Sequence, residues 1–253
     1  LNQQGRLYLL AKLDKLIEIG ALDEAETTIL QIPKIDSDLF ERWTRIAFLT
    51  GRIAQLCTEL RDNSGLSKDL SVRIICLMKL NDWDAAALTL ATAYSLEMIV
   101  QNRADLLIHY LDPKLIPKNQ LALTTNAFDE IDHFLINSNA NISSTASDQV
   151  RYQYMIYKSN SSLENTINAA EKLAIKKSIN VSSLFDIYRN NYIAGSIGFW
   201  QRMIAVKNLD MTLKRNNHKA VSIALNKAIE EMHSANLLFL FAGEYADKLS
   251  KFF

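Results

Sequence analysis

Three turns frame the first hundred residues. Gly20, Gly51 and Asn81 stand 31 and 30 residues apart, and each divides one apolar arm from another. The segments GALDEA, GRIAQL and NDWDAA hold equivalent places around them. Within the arms the apolar spacing is helical: Leu9, Leu10, Leu13, Leu16 and Ile17 before Gly20, then Phe40, Trp43, Ile46, Ala47 and Leu49 before Gly51. The clearest pair is SVRIICLMKLNDWDAAALTLATAYSL, residues 71–96, folded back at Asn81-Asp82 with Asp82 placed to cap the second arm. A period near 30 built from two helices reads as a helical-hairpin repeat, since one hairpin alone cannot bury its apolar face.

Composition supports helix throughout. The 253 residues include only 7 Gly and 3 Pro, so the turn formers of β proteins are scarce. Asp23 and Glu24 suit the first turn of a second helix, Pro33 ends it, and Asp38 opens the next unit. Beyond the third unit, NRADLLIHY forms one more helix and residues 113–119 a connector. A weaker pair follows to Ile136. The polar stretch 137–148 (NSNANISSTASD) lacks periodicity and is the seam of the chain. After it, Ser161 or Ser162 can cap a helix containing Leu163, Ile167, Ala170, Leu173 and Ala174. Residues 199–214 and 218–232 form a hairpin turning at Asn216-Asn217, and Ser234–Leu249 is the last helix. The fold class expected is all-α, stacked antiparallel helical hairpins in an α-solenoid or TPR-like superhelix. A hairpin region 1–136, a linker or loop 137–148 and a second helical region 149–253 make up the chain. One continuous superhelix and two docked domains both remain open.

Lys plus Arg and Asp plus Glu are each 28, and no block of like charge occurs, so nothing supports a nucleic-acid interface. No apolar run approaches the ~20 residues of a membrane helix. The chain begins with Leu1 rather than Met, so the absence of a leader pattern says nothing about export. Cys57 and Cys76 sit in apolar runs and read as two buried thiols. A disulfide between neighbouring hairpins, which needs an oxidising compartment, is the alternative. The four histidines, at 109, 133, 218 and 233, give no zinc spacing with these cysteines.

Trp43, Trp83 and Trp200 fall on apolar faces and read as packing anchors between helices. In Asp132-His133 the neighbours point ~100° apart on a helix, and Asp129, Glu130 and Asp132 read as a solvated face. His109-Tyr110 and the group Glu230, Glu231 and His233 lack catalytic or metal partners. Gly195 to Gly198 is a plain break, and Arg42, Arg45, Lys176 and Lys177 read as surface cations. None of the nucleophile-elbow, zincin, phosphate-loop or dinucleotide patterns occurs. No catalytic, cofactor-binding or metal-binding residue is therefore expected.

Three stretches carry a resemblance: the 71–96 hairpin, LLIHYLDPKL and FWQRMIAVKNLDMTLKRNNHKAVSIALNKAIEEM. In that order they resemble an uncharacterised family of α-proteobacterial helical-repeat proteins, some of whose members carry the label "antifreeze glycopeptide polyprotein", over roughly residues 20–250. The rhythm is also similar to tetratricopeptide-type repeats, though the unit is shorter than 34 residues and lacks their Trp-Leu-Gly-Tyr pattern. The family resemblance implies an exported chain, a mature periplasmic region, with the cytoplasm as the alternative. It assigns no functional residue. The function expected is a non-enzymatic scaffold or adaptor that binds a protein or peptide in the bacterial envelope. The alternative is a helical accessory domain of, or itself a cryptic, cell-wall-active enzyme. Self-association through the apolar end LLFLF…KFF is a third option.

Overall fold

Helix ends in this chain are set by local backbone chemistry. A computed structural model describes residues 3–117, 119, 121, 129–138, 149–159 and 161–252. Among them are fourteen α-helices and no strand, so the fold is all-α. The first seven are α1 (Gln3–Ile19), α2 (Leu22–Leu30), α3 (Ser37–Thr50), α4 (Ala54–Asp62), α5 (Leu70–Lys79), α6 (Trp83–Ser95) and α7 (Gln101–Leu111). The rest are α8 (Glu130–Ser138), α9 (Val150–Lys158), α10 (Leu163–Ile175), α11 (Val181–Asn190), α12 (Phe199–Lys214), α13 (His218–Ser234) and α14 (Leu238–Leu249).

All three framing turn residues are left-handed: Gly20 at φ 80°, Gly51 at 73° and Asn81 at 64°. At Asn81 the Asp82 N–H donates to the Leu77 carbonyl and the Asn81 N–H to the Met78 carbonyl. That pair of bonds is a Schellman motif, which closes the carbonyls left open at the end of α5. The same pair occurs around Gly20, Glu97, Lys177 and Asn236. Helix starts use side chains. Asp82 accepts from the Ala85 N–H, Ser162 from Asn165 and Asn217 from Ala220. The cap of α3 is Asp36, which accepts from the Leu39 N–H, while Asp38 lies in the first turn.

The described residues divide into two compact units, Leu1–Met155 and Ile156–Phe253. The division falls inside α9. Residues 139–148 of the expected seam lie outside the described residues.

In the first unit each helix packs on its sequence neighbour, from α1 on α2 through α7 on α8. Contacts also reach further, with α1 on α3, α5 on α7 and α3 on α8. The last joins helices more than 80 residues apart: Phe48 meets Phe134 with ring centroids 5.0 Å apart, and Tyr110 adds a second edge contact at 5.9 Å. A stack with nearest-neighbour contacts alone would lack this return.

Cys57 and Cys76 form a disulfide that ties α4 to α5, with Cα atoms 4.8 Å apart. This corrects the reading of two free thiols. Both residues are buried, as expected, but they face each other across a helix pair, which spacing alone does not reveal.

In the second unit α10 to α14 pack in order, and α11 also meets α14. Its core holds Leu184, Phe185, Tyr188, Met203, Val206, Leu209, Met232, Phe241 and Tyr245. The LLFLF stretch is mostly part of this core: Leu237, Leu240 and Phe241 are buried and Phe239 is exposed. Phe252 packs beside His218, with ring centroids 5.2 Å apart.

Candidate functional site

The second unit carries a groove on α12 and α13. Its volume is about 450 Å³. Gln201, Ala205, Asn208 and Thr212 line it from α12, at steps of four, three and four residues. Ala220, Ala224, Lys227 and Glu231 line it from α13 at the same steps. These steps keep each row on one face of its helix. The opposite face of the pair (Met203, Val206, Leu209, Val221, Ala228 and Met232) fills the core, so the hairpin presents a second face outward. Ala205, Ala220 and Ala224 make a low floor, and Ile204 and Ile223 add apolar side chains. Ile223 is exposed in the free chain.

One end of the groove is charged. Lys227 lies 2.8 Å from Glu231 and 3.0 Å from Glu230, and these two carboxylates hold its pKa above the ordinary lysine value. One cation between two anions leaves that end net negative. The site thus suits a narrow apolar segment with a positive group at one end. A smaller cleft of about 230 Å³ lies in the first unit, among Ile29, Trp43, Gln55, Glu59 and Asn63.

Trp43 is 3 % exposed and packs edge-on to Phe40 as an anchor. Trp200 is partly buried and stacks on Phe199, with Gly195 against its ring: a Cβ there would sit 2.4 Å from Trp200 Cδ1. The Gly195–Gly198 break therefore has a packing reason at its first glycine. Trp83 departs from the anchor reading and is 47 % exposed. It opens α6 at the edge of the face that buries Ala86, Leu90 and Ala93, within about 20° of Leu90 around the axis, and lies a turn beyond the first of them.

The acidic face expected on α8 is also corrected. Glu130 and Asp132 are buried. Arg45 Nε lies 3.2 Å from Glu130 Oε1 and Arg151 Nε 3.4 Å from the same atom. Arg103 bonds Asp132 and reaches Asp129 at 2.7 Å. Burial raises the Asp132 pKa against the opposing pull of Arg103. His133 is buried and lies over the Tyr152 ring at 3.9 Å, and burial pushes its pKa below the ordinary histidine value. Arg42 and Arg45 are thus ties rather than free surface cations, with Arg42 also bonded to Asp14 at 2.9 Å. Lys176 and Lys177 are exposed, and Lys177 lies over the Phe239 ring. His109 contacts the Ile116 carbonyl through Nδ1 at 2.7 Å and is a buried structural residue. Glu231 lines the groove, while His233 is exposed.

Sequence reading missed the groove because its residues look like an ordinary amphipathic helix pair. The repeated four-three-four spacing of polar and alanine residues on both arms was the available signal. Among the described residues, no group of three or more His, Cys, Asp or Glu is placed to hold a metal, and no helix is long and apolar enough to cross a membrane. Comparison of the chain with protein-family models, curated sequences and solved structures returns no match.

Proposed function

We propose that this chain is a non-enzymatic helical-repeat adaptor whose α12/α13 groove holds one amphipathic helix of a protein partner in an oxidising bacterial compartment such as the periplasm. The observation that carries the reading is the alanine-floored groove with its negative end. Two helices with heptad-like rows leave room for a third to lie between them, and small floor residues permit close approach of its backbone. Charge complementarity defines the occupant further. Its small or aliphatic residues recur at three- and four-residue steps, and a Lys or Arg at one end meets Glu230 and Glu231. The Cys57–Cys76 disulfide supports the compartment, because such bonds persist where thiols are not kept reduced.

The test places a photocrosslinking residue at Ile223 in the full-length protein, in its native cells. The expected result is a crosslink to a partner segment that is itself an amphipathic helix with a basic residue at one end. Ala224→Glu abolishes that crosslink and leaves the far-UV circular dichroism unchanged. Labelling no greater than that from a probe at exposed Lys219, or labelling that survives Ala224→Glu, refutes the reading.

A further inference from the structure

Helix α6 of the first unit is built like an interior helix yet has half its circumference uncovered. From Ala85 to Leu96 it carries no charged residue. Only Ala86, Leu90 and Ala93 are buried, all on one side. At 100° per residue, Trp83 and Tyr94 fall on one flank of the uncovered arc and Leu88 on the other, with Ala87, Ala91 and Ser95 between. The link to α7 adds Leu96, Met98 and Val100. The exposed fractions of these six large side chains run from 43 % at Tyr94 to 76 % at Val100. A helix that is apolar all round is normally buried, and an apolar patch of this extent on a folded chain marks an interface.

We infer that this surface is a two-fold interface with a second copy of the same chain, α6 against α6. Area is the first argument. The exposed parts of the six side chains sum to roughly 700 Å² per copy, so a symmetric pair that covers all of them removes at most about 1,400 Å² from water, which reaches the 1,200–2,000 Å² of a stable specific interface. Charge is the second. In a symmetric interface each patch meets itself, so any charge at its centre would face its like. The run from Ala85 to Leu96 has none; Asp84, on the same line of the helix as Ala91, and Glu97 close its two ends, so the carboxylates of the two copies come level with each other about 10 Å from the two-fold axis and not at the centre. Pairing α6 antiparallel opposes the two helix dipoles favourably. With the axis opposite Ala91, each Trp83 comes level with the 98–100 link of the second copy. The association is separate from the α12/α13 groove, and either can fail without the other.

The experiment is light scattering and sedimentation equilibrium on the full chain over ~1–500 µM, a range that brackets a micromolar dissociation constant. A concentration-dependent dimer is expected. Leu88→Glu raises the dissociation constant by ~100-fold or more, since each dimer carries the change twice, and leaves the helical circular dichroism as it was. Ala91→Cys provides a second readout. The two native cysteines are bonded to each other, so a new thiol near the axis forms a disulfide-linked dimer, and Glu164→Cys on the other unit does not. A chain that stays monomeric to the top of the range overturns the inference. So does a dimer that survives Leu88→Glu, or one in which Ala91→Cys crosslinks no better than Glu164→Cys.

Discussion

Reduction of the Cys57–Cys76 bond should lower the stability of the first unit by about 3 kcal/mol. The two residues are 19 apart in sequence. Closing a loop of that length in the unfolded chain removes roughly 11 cal/mol/K of entropy, or about 3 kcal/mol at 25 °C. The Leu1–Met155 unit is in the size class where each kcal/mol moves the midpoint by ~2–4 °C, so the expected fall is ~6–12 °C. Both half-cystines are buried, so a reductant reaches them through opening of the unit rather than from its native surface. The assay is therefore to reduce in denaturant, refold under reductant, and compare calorimetric traces of the oxidised and reduced chains. The reduced protein keeps both sulfur atoms in place, which separates loss of the cross-link from loss of packing. The downward shift belongs to the first unit's transition, with the Ile156–Phe253 unit as internal reference. Two results refute the reasoning: free thiols that alkylate in the unreduced, unfolded chain, or midpoints that agree within ~1 °C after reduction.

Three further outcomes are expected. Arg202 grips Glu171 through two bonds of 2.7 and 2.9 Å from Nη2, and the Tyr188 hydroxyl donates to the same carboxylate at 2.5 Å. Arg202→Met should cost the second unit about 3 kcal/mol in urea denaturation, because it strands a mostly buried anion, whereas Tyr188→Phe should cost only ~1 kcal/mol. His133 has a folded pKa below its ordinary value of about 6.5, so the unfolded state takes up the proton first as pH falls. Its contribution is intact above that pH and is lost below it. The slope is at most about 1.4 kcal/mol per pH unit, and His133→Phe should flatten the stability profile between pH 6.5 and the folded value. Gly195→Ala drives a methyl into the Trp200 ring. It should destabilise by ~1–3 kcal/mol and change the tryptophan emission, while the same substitution at Gly243, where a Cβ meets nothing within 4 Å, should not.

The all-α architecture was legible from sequence because its causes are local. Three- and four-residue apolar spacing builds the helices, and Asp82, Ser162 and Asn217 start them. Gly20, Gly51 and Asn81 end them because glycine and asparagine accept positive φ at little cost. The corrections share another cause. Glu130 and Asp132 look like a solvated face until α3, α7 and α9 supply Arg45, Arg103 and Arg151. Trp83 looks like an anchor on a helix with nearly all-apolar flanks, and only the packing of α5 and α7 decides which half is covered. Cys57 and Cys76 read as separate buried thiols because their pairing depends on how α4 lies on α5. Periodicity states that a helix has an inside; it does not state which surface becomes the inside. That choice is made by side chains tens of residues away, whose burial free energy outweighs local preference. The outward face of α12 and α13 and the uncovered half of α6 are products of that choice, which is why both candidate surfaces emerged only with the tertiary structure.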